Sequence, residues 1–238
     1  MVVPTSGAAA PGLVEGTINQ IQFILPTIAD ISGHAAANEI EAAIKNRVVD
    51  TFADGTFRPN SIVTRGDLAG ALLLNSSVRQ TVGATPRFSD VSGDLASIAE
   101  AITANGSTLR DFGFAPKGLM SANGSTFNPG GAINRLDLAV ALVRALGHDA
   151  EAVSKANSTI MVNGTPLSDN AQIPGTLRGY VQLAIDKGIL EAFPAEARQV
   201  GNTFTFLPGP RFEPTGGVTR AILAIKLNKY RQLFNIGG

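Results

Sequence analysis

One sequence pattern occurs three times along the chain, at residues 56–69, 126–139 and 211–224. Each copy contains Phe-x-Pro, then an aliphatic residue, then Thr or Asn, then Arg. The spacing from Phe to Arg is the same in every copy, as the following pairs show: Phe57 and Arg65, Phe127 and Arg135, Phe212 and Arg220. A unit of roughly 50–70 residues cannot bury its apolar face alone, so the triplication predicts a repeat array.

Apolar residues at helical spacing precede and follow each copy of the pattern, which predicts three helix–loop–helix units and a mainly α fold. We place these units at residues 27–83, 84–150 and 151–238, after an N-terminal tail and capping helix at 1–26. Together they are expected to form one structural unit. In the divergent third unit, Asn163 and Gly164 predict a small β-hairpin, and residues 191–210 a long loop.

Composition limits the classes of function that the chain can serve. The 19 basic and 19 acidic residues cancel, so neither nucleic acid nor an anionic membrane surface is an expected partner. Charged residues make up only 16% of the chain, against about 25% in typical soluble domains. This low value favours a surface partly covered by a partner or by copies of the chain.

The chain has no cysteine, so disulfides and thiolate metal sites are excluded. No segment approaches the ~18 apolar residues of a membrane span. The first seven residues lack the basic and apolar regions of a signal peptide. For an exported protein, we therefore expect the signal to lie upstream of Met1.

The polar residues of the pattern predict a helix start. Thr64 with Asp67, and Asn134 with Asp137, have the spacing of a capping box. In the third copy Thr219 keeps the cap, but Ile222 cannot reciprocate.

The arginine of the pattern falls at the first helical position, where the helix dipole disfavours a cation by about 0.3–1 kcal/mol. An anionic partner is therefore expected. One candidate is a salt bridge to the aspartates that recur once per unit, which are Asp30, Asp90 and Asp169. The other is a ligand carboxylate, bound by the Arg and by free N–H groups at the helix start. The sequence leaves both open.

No constellation of residues indicates an enzyme, a metal site or a cofactor site. His34 and His148 lie at helix ends and are expected to serve local structure. Asp50 and Asp54 lack the ligand spacing of a calcium loop. The repeated phenylalanines are expected to be core residues that hold the loop before each second helix.

Residues 30–34 (Asp-Ile-Ser-Gly-His), an amphipathic helix, residues 54–59 (Asp-Gly-Thr-Phe-Arg-Pro) and residues 63–69 (Val-Thr-Arg-Gly-Asp-Leu-Ala) resemble the S-layer homology module. The resemblance covers roughly residues 27–235 and weakens from the first unit to the third. It implies a pseudo-threefold helical unit that tethers an exported protein to cell-wall polysaccharide, outside the cell or at its surface.

In that family the grooves lie between modules and often accept a carboxylate-bearing sugar, which the pattern arginine recognises. The resemblance therefore implies the following ligand-binding candidates: Arg65, Arg135, Arg220, Thr64, Asn134, Thr219, Asp30 and Asp90. Two features depart from the family. Its Trp is replaced by Ala35 and Leu95, and the Glu of its Thr-Arg-Ala-Glu element by Asp67, Asp137 and Ile222.

A looser resemblance concerns the third unit. Residues 178–188 and 230–232 are similar to the C-terminal region of some secreted subtilisin-like proteases, although no motif for a serine nucleophile is present. This resemblance implies a second hypothesis, in which the chain is a structural or oligomerisation domain that packs on an upstream catalytic domain or on itself.

Overall fold

The computed structural model describes residues 27–79, 87–110, 112–113 and 115–236. Within these ranges the chain is mostly helical, as predicted, with seven α-helices and two small antiparallel sheets of two strands each. The predicted capping helix before residue 27 lies outside the described residues.

Three helices begin at the pattern arginines: α2 (Arg65–Asn75), α4 (Arg135–Ala145) and α7 (Arg220–Ile236). The helix that precedes each pattern is also formed, as α1 (Ala37–Lys45), α3 (Gly93–Thr103) and α6 (Arg178–Asp186). A short helix that the sequence did not predict, α5 (Asp149–Ser154), follows α4. The predicted Asn-Gly hairpin is present as β1 (Met161–Val162) and β2 (Thr165–Pro166).

The helices pack in pairs that connect different copies of the pattern. Helix α2 packs against α3, α4 against α6, and α7 returns to α1. Each helix that begins at a pattern arginine thus packs on the helix preceding another copy. One contiguous core joins all of these helices.

Short stretches before α2, α4 and α7 also contact one another. The Val63 N–H donates to the Val218 carbonyl at 2.8 Å, and the Ile133 N–H donates to the Val63 carbonyl at 3.1 Å. All three aliphatic side chains are buried, as are the pattern phenylalanines Phe57, Phe127 and Phe212. The prediction that these phenylalanines are core residues is confirmed.

The segment expected as a long loop at residues 191–210 instead contains a hairpin, β3 (Glu196–Val200) and β4 (Thr203–Leu207). Threonine and phenylalanine alternate in β4, which suits a strand because β-branched and aromatic side chains pack well on a pleated surface. Ion pairs from Arg211 to Glu196 (2.6 Å) and from Arg198 to Glu213 (3.0 Å) attach this hairpin to the third pattern.

A buried polar cluster joins α4, α5 and α6. The Arg144 Nε donates to the Asp149 carboxylate at 3.1 Å, and the Tyr180 hydroxyl donates to the same oxygen. Burial, together with that hydrogen bond to Asp149, raises the pKa of Tyr180. Helix α6 lies so close to α5 that a Cβ on Gly179 would meet the Ala152 carbonyl oxygen at 1.9 Å. The cluster satisfies its own polar groups and serves to fix these helices.

Candidate functional site

The predicted cap residues lie at the starts of their helices. Thr64 accepts a hydrogen bond from the Asp67 N–H at 3.2 Å, and Asp67 accepts one from the Thr64 N–H at 2.9 Å. Asn134 and Asp137 form the same capping box. Thr219 accepts from the Ile222 N–H at 3.3 Å, without a reciprocal bond. The local structure predicted for these residues is confirmed.

Each pattern arginine donates two hydrogen bonds to backbone carbonyls of another copy's segment. The Nε bonds run from Arg65 to Phe127 (2.8 Å), from Arg135 to Phe212 (2.8 Å), and from Arg220 to Phe57 (2.7 Å). The Nη2 bonds reach the carbonyls of Ser121, Glu191 and Asp50, respectively. The three arginines thus connect the first copy to the second, the second to the third, and the third back to the first.

The recurring aspartates accept backbone N–H groups rather than arginines. Asp30 accepts from Phe57 and Arg58, Asp90 from Phe127 and Asn128, and Asp169 from Phe212 and Glu213. Within the described ranges no ion pair joins these aspartates to the pattern arginines, so the salt-bridge hypothesis is wrong. Carbonyl dipoles of the neighbouring segment stabilise the guanidinium groups at hydrogen-bond distance instead, and the aspartates act on the arginines only through a longer-range attraction.

These aspartates stabilise a strained turn. The residue after each pattern Phe has a positive φ, which is 57° at Arg58, 58° at Asn128 and 55° at Glu213. Such a φ is uncommon for residues other than glycine. Hydrogen bonds from the backbone N–H groups of Phe57 and Phe127 are the main reason that the pKa values of Asp30 and Asp90 are lowered.

The three arginines differ in what covers them. The guanidinium of Arg135 lies 4.4 Å from the centroid of the Phe193 ring and 4.9 Å from that of Phe212, and the residue is 4% exposed. Arg220 lies at the same two distances from Phe52 and Phe57. Burial lowers the pKa of both arginines. Arg65 lies 5.0 Å from the ring centroid of Phe127, the pattern phenylalanine of the second copy.

An open groove of about 580 Å³ lies beside Arg65, where the first and second copies meet. It is lined by Arg65, Asp90, Ser121, Ala122, Asn123, Thr126, Phe127 and Asn128. The groove therefore combines one cation, one carboxylate and several neutral hydrogen-bonding groups. The side chains of Asn123 and Asn128 are exposed and make no hydrogen bond to any other described residue.

The equivalent surroundings of the other two arginines are occupied by the chain itself. Phe193, at the base of the β3–β4 hairpin, covers Arg135. Beside Arg220, the Arg58 guanidinium lies 4.0 Å from the Phe52 ring centroid and pairs with Asp54 at 2.7 Å.

Of the predicted site residues, the structure brings Arg65 and Asp90 together in the groove. Arg135, Arg220 and Asp30 lie at the other two junctions, and the three cap residues are outside the groove lining. Sequence reasoning missed Ser121, Asn123 and Asn128. The loops before Phe57, Phe127 and Phe212 differ in length, so a sequence comparison does not align these three residues with positions in the other copies. Only the backbone hydrogen bonds of the folded chain show which positions correspond.

The histidines serve local structure. His34 Nδ1 accepts the Ala36 N–H at 3.1 Å, and His148 Nδ1 lies 3.1 Å from a carboxylate oxygen of Glu151. No group of His, Asp and Glu residues in the described part of the chain is arranged to hold a metal ion. Among the described helices, none combines the length and the apolar character needed to cross a membrane.

Residues 27–69 match the S-layer homology domain. The matched region contains Asp30, the first pattern Phe and Arg65, and ends within α2. S-layer homology domains are non-catalytic anchoring modules that bind cell-wall polysaccharide. The comparison with curated proteins gives no match.

Proposed function

We propose that this chain is a non-catalytic module that binds cell-wall polysaccharide and so tethers an exported protein at the cell surface. The family match at residues 27–69 supports the general class of function. The observation that carries the proposal is the open groove beside Arg65, which adjoins that matched segment and presents free hydrogen-bonding groups.

We further propose that three S-layer homology repeats, at residues 27–83, 84–150 and 151–238, form one pseudo-threefold unit. The support is the recurrence of the same contacts in each copy. An arginine holds the carbonyl of the next pattern phenylalanine, and an aspartate holds the N–H of the phenylalanine in its own unit. The cycle closes from the third copy to the first, as expected for a ring rather than an open array.

In this proposal the three arginines have different roles. Arg135 and Arg220 connect the repeats, whereas Arg65 both connects them and faces the ligand. Its Nε and Nη2 are committed to carbonyls, which leaves Nη1 for the ligand. A carboxylate-bearing sugar would pair with Nη1 as a charge-assisted hydrogen bond. Sugar hydroxyls would pair with the amide of Asn128.

A second candidate function is an interaction domain that packs on an upstream catalytic domain or on a copy of itself. One observation favours it. Phe204 and Phe206 in β4 are 74% and 69% exposed, and their spacing of two residues puts both on one face of the hairpin.

Co-sedimentation with purified cell-wall sacculi tests the proposed function and its site. Asn128→Gly removes the Asn128 amide from the groove and keeps the backbone conformation, because glycine adopts a positive φ freely. Asn163→Gly is the matched control, since Asn163 is also exposed and has a φ of 49°, but lies in the β1–β2 turn. We expect the unmodified chain and the control to sediment with sacculi, and Asn128→Gly to bind roughly tenfold more weakly, about 1.4 kcal/mol.

Two results would argue against this account. Equal binding by Asn128→Gly and the control would exclude the groove. An unmodified chain that stays in the supernatant would contradict the anchoring function. A dimeric mass in size-exclusion chromatography with light scattering would then favour the interaction domain.

A further inference from the structure

One backbone position recurs beside each pattern arginine, although the loops that contain it differ in length. Its N–H donates to the carbonyl of the residue just before the pattern Phe. The three bonds run from Phe52 to Thr56 (2.8 Å), from Asn123 to Thr126 (3.1 Å) and from Phe193 to Arg211 (2.7 Å). This relation makes Phe52, Asn123 and Phe193 structurally equivalent.

A second, independent hydrogen bond supports this equivalence. The carbonyl two residues before each of these positions accepts the Nη2 of the pattern arginine. The acceptors are Asp50, Ser121 and Glu191. Each position is therefore held at the same place relative to a guanidinium.

The side chain at this position decides what lies against that guanidinium. Phe52 and Phe193 each place a ring centroid 4.4 Å from the guanidinium carbon of Arg220 and Arg135. Each guanidinium also lies 4.9–5.0 Å from the ring centroid of a pattern phenylalanine. This second ring is therefore present at all three junctions. In the second copy the Asn123 amide stands in place of the covering phenylalanine, and there this position lines the open groove beside Arg65.

We infer that Asn123 is the residue that keeps the Arg65 groove accessible, and that Phe52 and Phe193 fill the same space at the other two junctions. This inference rests on the proposed function, and it restricts glycan binding to one of three similar junctions. A pyranose ring suits the open space beside Arg65, because the C–H face of the sugar packs on the planar guanidinium. Its hydroxyls pair with the adjacent Asn128 amide.

The exchange of this residue is the test. Asn123→Phe restores the ring that the other two copies have, and Asn123→Ala removes the amide without adding a ring. In the sacculus assay we expect Asn123→Phe to lose binding by tenfold or more. We expect Asn123→Ala to stay within about threefold of the unmodified chain. If Asn123→Phe fails to fold, Asn123→Leu covers the same face and is expected to show the same loss.

A nuclear magnetic resonance measurement reads the same position without any wall material. The Nε proton of Arg65 is held by the Phe127 carbonyl. A second ring above the guanidinium is expected to change its chemical shift in Asn123→Phe and not in Asn123→Ala, while the Nε resonances of Arg135 and Arg220 stay in place.

The outcomes separate the two claims. Asn123→Phe that sediments like the unmodified chain, or Asn123→Ala that loses as much binding as Asn123→Phe, would overturn the role of Asn123 and leave the anchoring function intact. If the unmodified chain does not bind sacculi, the anchoring function falls. The Arg65 resonance then still tests whether a ring at position 123 covers the guanidinium, and an unshifted resonance in Asn123→Phe would overturn that.

Discussion

The pattern arginines connect segments that are distant in sequence, because each donates hydrogen bonds to backbone carbonyls of another copy. Arg220 reaches carbonyls of the first copy that are 163 and 170 positions away along the chain. A guanidinium suits this role because its planar fork donates several hydrogen bonds in a fixed geometry. A cation at a helix start, which helix electrostatics disfavours, is thereby placed among carbonyl oxygens that stabilise it.

Replacement of these arginines by lysine is expected to have unequal effects on stability. Lysine keeps the charge but cannot hold both carbonyls, and at the buried Arg135 no water replaces the lost bonds. We expect Arg135→Lys to lower the free energy of unfolding by about 2–4 kcal/mol. For Arg65→Lys, beside an open groove, we expect about 1 kcal/mol. Urea denaturation measures both, and equal losses would contradict the difference in burial.

At the residue scale, the sequence identified the important residues but not the groups that they contact. Helix electrostatics identified the arginines as residues in need of a partner, and the partners are carbonyls of other segments. A backbone carbonyl carries no sequence signal, so no inspection of side chains finds it. Asn123 was missed for the same reason, since its equivalence to Phe52 and Phe193 is defined by backbone hydrogen bonds.

At the element scale, helix starts were predictable because capping uses residues adjacent in sequence. Helices α2 and α4 begin at Arg65 and Arg135, directly after their predicted caps. The β3–β4 hairpin was not predicted, because the phenylalanine, glycine and proline residues of 191–210 indicated a loop. Its alternating Thr and Phe residues were a usable signal.

The caps are expected to differ in strength. The Thr64 hydroxyl accepts the Asp67 N–H and also donates to the Asp67 carboxylate at 2.8 Å, whereas the Thr219 hydroxyl makes a single bond to the Ile222 N–H. We expect Thr64→Ala to lower the free energy of unfolding by about 1–2 kcal/mol, and Thr219→Ala by about 0.5 kcal/mol. Thermal denaturation of the two variants under identical conditions checks the order. A larger loss in Thr219→Ala would contradict a stabilising contribution from the second hydrogen bond of the Thr64 hydroxyl.

At the scale of the whole molecule, the contacts between copies close on themselves. Helix α7 packs on α1, and the Tyr230 hydroxyl donates to Ser76 in the first unit at 2.9 Å. Burial raises the pKa of Tyr230 to about 12. In the proposed ring each junction is held in a fixed geometry by the other two, so one junction can differ from the others in a single side chain while the ring stays intact.

The most direct test of this account follows backbone amide and arginine Nε resonances while soluble cell-wall polysaccharide fragments are added. The account predicts saturable shifts at Ser121, Asn123 and Asn128 and at the Nε of Arg65. The Nε of Arg135 and the β3–β4 hairpin are expected to stay unchanged. The largest shifts at Arg135 or at the hairpin, or no shift at high fragment concentration, would contradict a polysaccharide site in the Arg65 groove.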